Sequence, residues 1–290
     1  PKARDCHLIA HRMSEAEVKK NPQTWKEFLG KAPADQCIGG FIHGALEAYQ
    51  KSNPSLEFNA KTIEEICSLT KTKGKSYCSH MMGHLLPVET VGNFKKAVDI
   101  CYGLLKEIQF NCFTGIFMEN ITRDNLEDHG LAKHIPYNEE STRGQEKLCR
   151  QYTGEPARAC WQEITHYYQR LELGNPKGLF ARCSRANAQD GRDSCFLHGI
   201  TFMAGADPIE LNNNNMFSLC EPFALRQKRR MEQCTNTIIH VLFNSSPKFE
   251  ERVEELCSDI PLELKELCSK TTVEVKNNKL ESQNIESNSQ

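Results

Sequence analysis

Fourteen cysteines recur along this chain in nearly even pairs, and no other feature restricts its fold as strongly. The pairs are Cys67/Cys78, Cys101/Cys112, Cys149/Cys160, Cys183/Cys195, Cys220/Cys234 and Cys257/Cys268, after a longer first interval from Cys6 to Cys37. Five of the seven intervals lie within one residue of eleven. No Cys-x-x-Cys occurs, which argues against thioredoxin-like chemistry and against the close thiolate pairs of zinc sites. An even number of cysteines in tandem pairs fits structural disulfides, which persist in oxidising compartments. Spacing alone leaves connectivity open, and the regular interval selects neighbour-to-neighbour pairing. The expectation is seven bridges, Cys6–Cys37 included, in a secreted, periplasmic or cell-surface protein.

Used as a ruler, the second cysteine of each pair marks segments starting at Cys37, Cys78, Cys112, Cys160, Cys195 and Cys234, at intervals of 34 to 48 residues. That is the period of two-helix repeats. The first cysteine closes an amphipathic segment, with apolar residues at helical spacing such as Ile63 and Ile66, Ala97 and Ile100, or Val253 and Leu256. Turn formers lie between the cysteines, as in Lys73-Gly74-Lys75, Thr153-Gly154-Glu155-Pro156 and Asp190-Gly191-Arg192. Each bridge is therefore expected to join the last turn of one helix to the first turn of the next.

The predicted fold is all-α, built of tandem αα-hairpins, each stapled by a disulfide and arrayed as a solenoid or a closed α/α ring. It forms one repeat domain over residues 1–270, with atypical caps at about 1–36 and 257–270. The polar stretch 271–290 reads as a disordered tail. In plan the chain resembles the bacterial cysteine-rich helical-repeat proteins, which also bridge each αα-hairpin, although the intervals here are longer. The resemblance covers arrangement and implies no functional residue.

The totals exclude some function classes. A net charge of −2 with mixed signs speaks against nucleic acid as a partner. The basic run Arg226, Lys228, Arg229, Arg230 reads as a solvated helix face. No apolar stretch approaches the roughly 20 residues of a membrane helix, so no span is expected, with association to a membrane complex left open. Nucleophile-elbow, phosphate-loop and dinucleotide-binding motifs are absent from the sequence.

The second helix of each repeat carries a histidine stripe. Six residues after the opening cysteine stand His43, His84, His166 and His240, while His80 and His198 follow their own cysteines by two and three residues. At 100° per residue these offsets share one face, and apolar residues at offsets of four and eight occupy another. Imidazole is the commonest metal ligand. His80 and His84 are spaced so that one helix turn presents both to a single ion. Glu47 lies one turn beyond His43, and Glu163 with His166 forms a single Glu-x-x-His. Duplication of a repeat can also copy a histidine for packing alone, and both explanations stand at this level. Gly39, Gly40, Gly44, Gly83, Gly115 and Gly199 accompany the stripe and point to close helix approach. Cys37-Ile-Gly-Gly-Phe-Ile-His-Gly is similar to Gly-rich inner-helix starts of lanthionine-cyclase-like α/α barrels. Those proteins bind zinc through free cysteines, which this chain commits to bridges.

Two functions follow as expectations. One is an extracytoplasmic binding or scaffold module for a protein or peptide partner, alone or as a subunit of a larger complex. The other is a metal-binding protein or metal-dependent enzyme that uses His43, Glu47, His80, His84, Glu163, His166, His198 and His240 for zinc, iron or copper.

Overall fold

A computed structural model describes residues 3–31, 40–53, 57–70, 74–123, 126, 131–133, 135–205, 216–224, 227–245, 253–254, 256–258, 260 and 262–287. These residues form fifteen α-helices and no strand. They are α1 (Ala3–Lys20), α2 (Trp25–Lys31), α3 (Gly40–Ser52), α4 (Ala60–Ser68), α5 (Gly74–Glu89), α6 (Phe94–Tyr102), α7 (Lys106–Thr122) and α8 (Glu139–Cys149). There follow α9 (Gly154–Glu163), α10 (Thr165–Leu171), α11 (Pro176–Cys183), α12 (Gln189–Gly205), α13 (Glu221–Ala224), α14 (Lys228–Ser245) and α15 (Leu262–Ser287). Contacts divide the chain into two compact units, Pro1–Ile164 and Thr165–Gln290.

The hairpins are those the cysteines predict. Six bridges close Cys67–Cys78, Cys101–Cys112, Cys149–Cys160, Cys183–Cys195, Cys220–Cys234 and Cys257–Cys268, with Cα atoms 5.3–5.8 Å apart. Cys37 lies outside the described residues, and with it the expected Cys6–Cys37 bridge. Loops of this size contribute about 2–4 kcal/mol each by restricting the unfolded chain. The position of the second cysteine differs from expectation. Cys112, Cys160, Cys195, Cys234 and Cys268 are each the seventh residue of their helix, and Cys78 is the fifth. Gly74-Lys75, Gly154-Glu155-Pro156 and Asp190-Gly191-Arg192, which read as turns, lie in the first turns of their helices. Gly, Pro and acidic residues are tolerated there because the first backbone N–H groups have no intrahelical acceptor anyway.

The first helix of successive repeats starts in one way. Asn59, Asn93, Asn138 and Asn175 cap α4, α6, α8 and α11, each accepting a backbone N–H three residues on, at 2.9–3.0 Å. Such a cap contributes about 1 kcal/mol and fixes where the helix begins. Three of these asparagines stand eight residues before the bridging cysteine (Asn59, Asn93 and Asn175), so cap and staple set both ends of a short helix.

In the first unit the longer helices pack side by side, α1 on α3, α3 on α5, α5 on α7 and α7 on α9, with α4, α6 and α8 each on its own partner. Helix α7 is buried on nearly every side, through Ile108, Cys112, Phe113, Ile116, Phe117 and Ile121. Trp25 stacks on Tyr49 at 3.8 Å and seats α2 on α3. The second unit repeats the scheme with α10 on α12, α12 on α14 and α14 on α15.

The C-terminal segment departs from its polar composition. Residues 271–287, expected as a disordered tail, continue helix α15. Leu264, Cys268, Thr271 and Val275 are all buried at helical spacing, and Thr271 donates its hydroxyl to Asn236 Oδ1 on α14 at 2.7 Å. One apolar stripe suffices to anchor a helix whose other faces are charged.

Candidate functional site

Two close helix crossings in the first unit gather histidines and carboxylates. At the first, α1 lies so near α3 that a Cβ on Gly44 would collide with the His11 carbonyl and with Ser14 Oγ. Ser14 is fully buried and donates to that same carbonyl at 3.0 Å. The approach sets His11 of α1 beside His43 and Glu47 of α3. His11 Nε2 stands 3.1 Å from Glu47 Oε2 and His43 Nε2 3.6 Å from Glu47 Oε1. The two imidazole rings meet edge to face at 4.7 Å. One ligand atom from each of the three residues fits within a span of 4.8 Å.

The electrostatics of this group are strongly shaped. Burial by itself would raise the Glu47 carboxyl. The hydrogen bond from His11 and the positive charges of His43, His11 and Lys51 outweigh it and hold Glu47 at about 2. Lys51 sits 3.6 Å from Glu47 and 3.4 Å from Glu15. Its ammonium is held above the usual range, since these carboxylates more than offset the burial that lowers it.

At the second crossing α5 meets α7 glycine to glycine. A Cβ on Gly83 would strike the Cys112 carbonyl, and one on Gly115 the His80 carbonyl. His84 Nδ1 is 3.1 Å from Oε2 of the fully buried Glu119, whose Oε1 accepts the Leu126 N–H at 2.9 Å. His80 Nδ1 is 2.8 Å from Thr114 Oγ1. The Nε2 atoms of His80 and His84 face each other at 3.3 Å. His43 and His84 link the two groups, with ring centroids 5.6 Å apart.

The remaining stripe residues have other surroundings. In the second unit His166 and His198 stand 6.0 Å apart by ring centroid, both packed edge-on or tilted against Phe202 at 5.3 and 5.1 Å. Thr165 Oγ1 contacts His198 Nδ1 at 2.7 Å, and Gln169 Nε2 lies 3.4 Å from His166 Nδ1. His240 is exposed on α14. Glu163, in the first unit, is buried and accepts from Gln162 Nε2 at 3.0 Å. Arg230 of the basic run pairs with Asp193 at 3.1 Å and lies over Phe223, while Lys228 and Arg229 are exposed.

Of the eight residues that the sequence singles out, the structure brings His43, Glu47, His80 and His84 near one another in one unit, and the sequence reading misses His11, Thr114 and Glu119. His11 carries a readable signal: His7 precedes it by four residues, the spacing of His80 and His84. Glu119 lies one residue past Met118, which stands six residues after Cys112 where other repeats have histidine. No protein-family model, curated protein or solved structure matches the chain. Six disulfides are compatible with an oxidising location. No helix among the described residues is long and apolar enough to cross a membrane.

Proposed function

We propose that this protein is a metal-binding helical-repeat protein of the secreted, periplasmic or cell-surface space, which holds a divalent transition-metal ion at His11, His43 and Glu47. One observation carries the proposal: two imidazoles and a carboxylate from two helices present ligand atoms within 4.8 Å, in a partly buried site fixed by the Gly44 crossing. Two histidines and one carboxylate leave coordination positions open, as in catalytic zinc sites and in two-His-one-carboxylate iron sites. Glu47 is ionised at any physiological pH and needs no proton removed before it binds. The His11 proton that now bonds Glu47 leaves when the ion takes its place. Recognition of a protein or peptide partner has no comparable group of side chains behind it among the described residues, so metal binding is the reading carried forward.

Metal analysis of chelator-free protein, purified with its disulfides intact, tests this. The expected result is zinc, iron or copper in stoichiometric amount, with one equivalent lost from the His43→Ala/Glu47→Ala variant. Metal-free wild-type protein that also takes up none of these ions at micromolar concentration would sink the proposal.

A further inference from the structure

His80 and His84 define a second position for an ion. Thr114 Oγ1 gives its only hydrogen to the Asn111 carbonyl at 2.7 Å, so towards His80 it must accept, and His80 Nδ1 carries the proton. Paired with Glu119 as a carboxylate, which can only accept, His84 carries its proton on Nδ1 as well. Both tautomers are thereby set by partners on α7. Each neutral ring then has its lone pair on Nε2, and these two atoms face each other at 3.3 Å. Lone pair against lone pair is repulsive, and a cation between them relieves it. The choice is a shared proton or a metal ion.

The surroundings favour the metal. Two nitrogens bound at about 2.0–2.1 Å with a tetrahedral angle between them lie about 3.3–3.4 Å apart, which is the separation found here. A carboxylate on the far nitrogen of a ligating histidine, the place Glu119 has behind His84, is the usual orienting partner in metal sites. His84 is also only one ring from His43 of the first group.

We infer that Nε2 of His80 and Nε2 of His84 bind a second divalent transition-metal ion beside the one at His11, His43 and Glu47. The first unit then carries two neighbouring ions, with open positions for water or a small anionic ligand. Only the word second rests on the proposal above, since the His80/His84 position stands on its own geometry. Thr114 and Glu119 act as positioning residues.

Stoichiometry separates the two. Chelator-stripped, disulfide-intact full chain is titrated with Zn²⁺ by calorimetry and with Co²⁺ by visible absorption. Wild type is expected to take two equivalents, His80→Ala/His84→Ala one, and His43→Ala/Glu47→Ala one. Glu119→Gln should weaken one equivalent about 10- to 100-fold and leave the other. If His43→Ala/Glu47→Ala keeps both equivalents, or wild type holds one that only His80→Ala/His84→Ala removes, the first site fails and this inference stands. A wild type that holds a single equivalent, retained in full by His80→Ala/His84→Ala, overturns it. So does a nitrogen NMR signature of a proton shared by the two Nε2 atoms that Zn²⁺ does not displace. Thermal unfolding followed by circular dichroism checks the fold of every variant, and His80→Asn/His84→Asn replaces the alanine pair if that pair fails to fold.

Discussion

Histidines at one offset from their cysteines meet quite different neighbours in the two units. In Pro1–Ile164, His43 and His84 face Glu47 and Glu119 and adjoin His11 and His80. In Thr165–Gln290, His166 lies against Phe202 and Gln169, His198 against Phe202 and Thr165, and His240 is exposed. The repeat sets where on its helix a histidine stands, and the next turn or the crossing helix decides what it does. One turn beyond His43 the chain has Glu47; one turn beyond His166 and His198 it has Arg170 and Phe202. A carboxylate beside an imidazole orients it and balances a bound cation, whereas an aromatic ring packs it. The same offset thus sets His43 and His84 beside carboxylates in the first unit and His166 beside an aromatic ring in the second.

The sharpest way to break this contrast is to remove histidines from each unit in turn. Loss of direct ligands in His43→Ala/Glu47→Ala should weaken metal binding by at least about a hundredfold, more than loss of an orienting partner does. His166→Ala/His198→Ala should leave affinity and stoichiometry as in wild type. Metal titration of both doubles is the measurement, and an equivalent lost from the second pair would end the distinction between the units.

The glycines differ in the same way. A Cβ on Gly44 meets backbone, the His11 carbonyl, while one on Gly199 meets only the Leu179 methyls at 2.7 and 2.8 Å. A side chain can turn aside, and a carbonyl inside a helix cannot. Gly44→Ala should destabilise the first unit by about 1–3 kcal/mol and displace His11. Gly199→Ala should change stability by less than about 1 kcal/mol, because alanine's better helix propensity offsets the crowding. Both tryptophans, Trp25 and Trp161, belong to the first unit, so their fluorescence in urea reports on it alone. Equal destabilisation by the two substitutions would remove the argument that Gly44 builds the site.

How far the sequence carries is clear from these same residues. Cysteine spacing foretells the six described hairpins because a bridge requires two Cα atoms to approach, and equal loops give equal approaches. His43, Glu47, His80 and His84 were legible because each pair lies on one helix, where period fixes direction. His11 and Glu119 were not, because their partners lie 36 and 35 residues away and are brought near by helix crossings that no local period encodes. The glycines gave notice of those crossings without naming the helices that meet there. The tail failed for a related reason: Thr271 and Val275 are too few to lift a polar window, yet they fall on the one face that α14 covers.

Acid offers a test confined to the first unit. Glu47 is held at about 2 against an ordinary value of 4.5. The folded state therefore binds its proton more weakly than the unfolded chain does. The pairing stabilises metal-free protein fully above about pH 4.5, and that contribution is lost as pH falls towards 2. The size is on the order of 2–3 kcal/mol. Urea midpoints followed by tryptophan fluorescence between pH 5 and 2 should fall steeply in wild type and less so in Glu47→Gln. Parallel curves would show that Glu47 does not face the cationic group described above.

The smallest effect concerns the cation already next to the site. Lys51 lies 3.6 Å from Glu47 and competes with any ion for its oxygens, yet its side chain is 41% exposed. An ion pair so open to water contributes only about 0.2–1 kcal/mol. Lys51→Met keeps the aliphatic stem and removes that competition, so metal affinity should rise about 1.5- to 5-fold, with the stoichiometry unchanged. The rise should be greatest at low salt, where the ammonium is least screened. Weaker binding in Lys51→Met would reverse the assignment: the lysine would then be holding Glu47 in place for the ion rather than standing in for it.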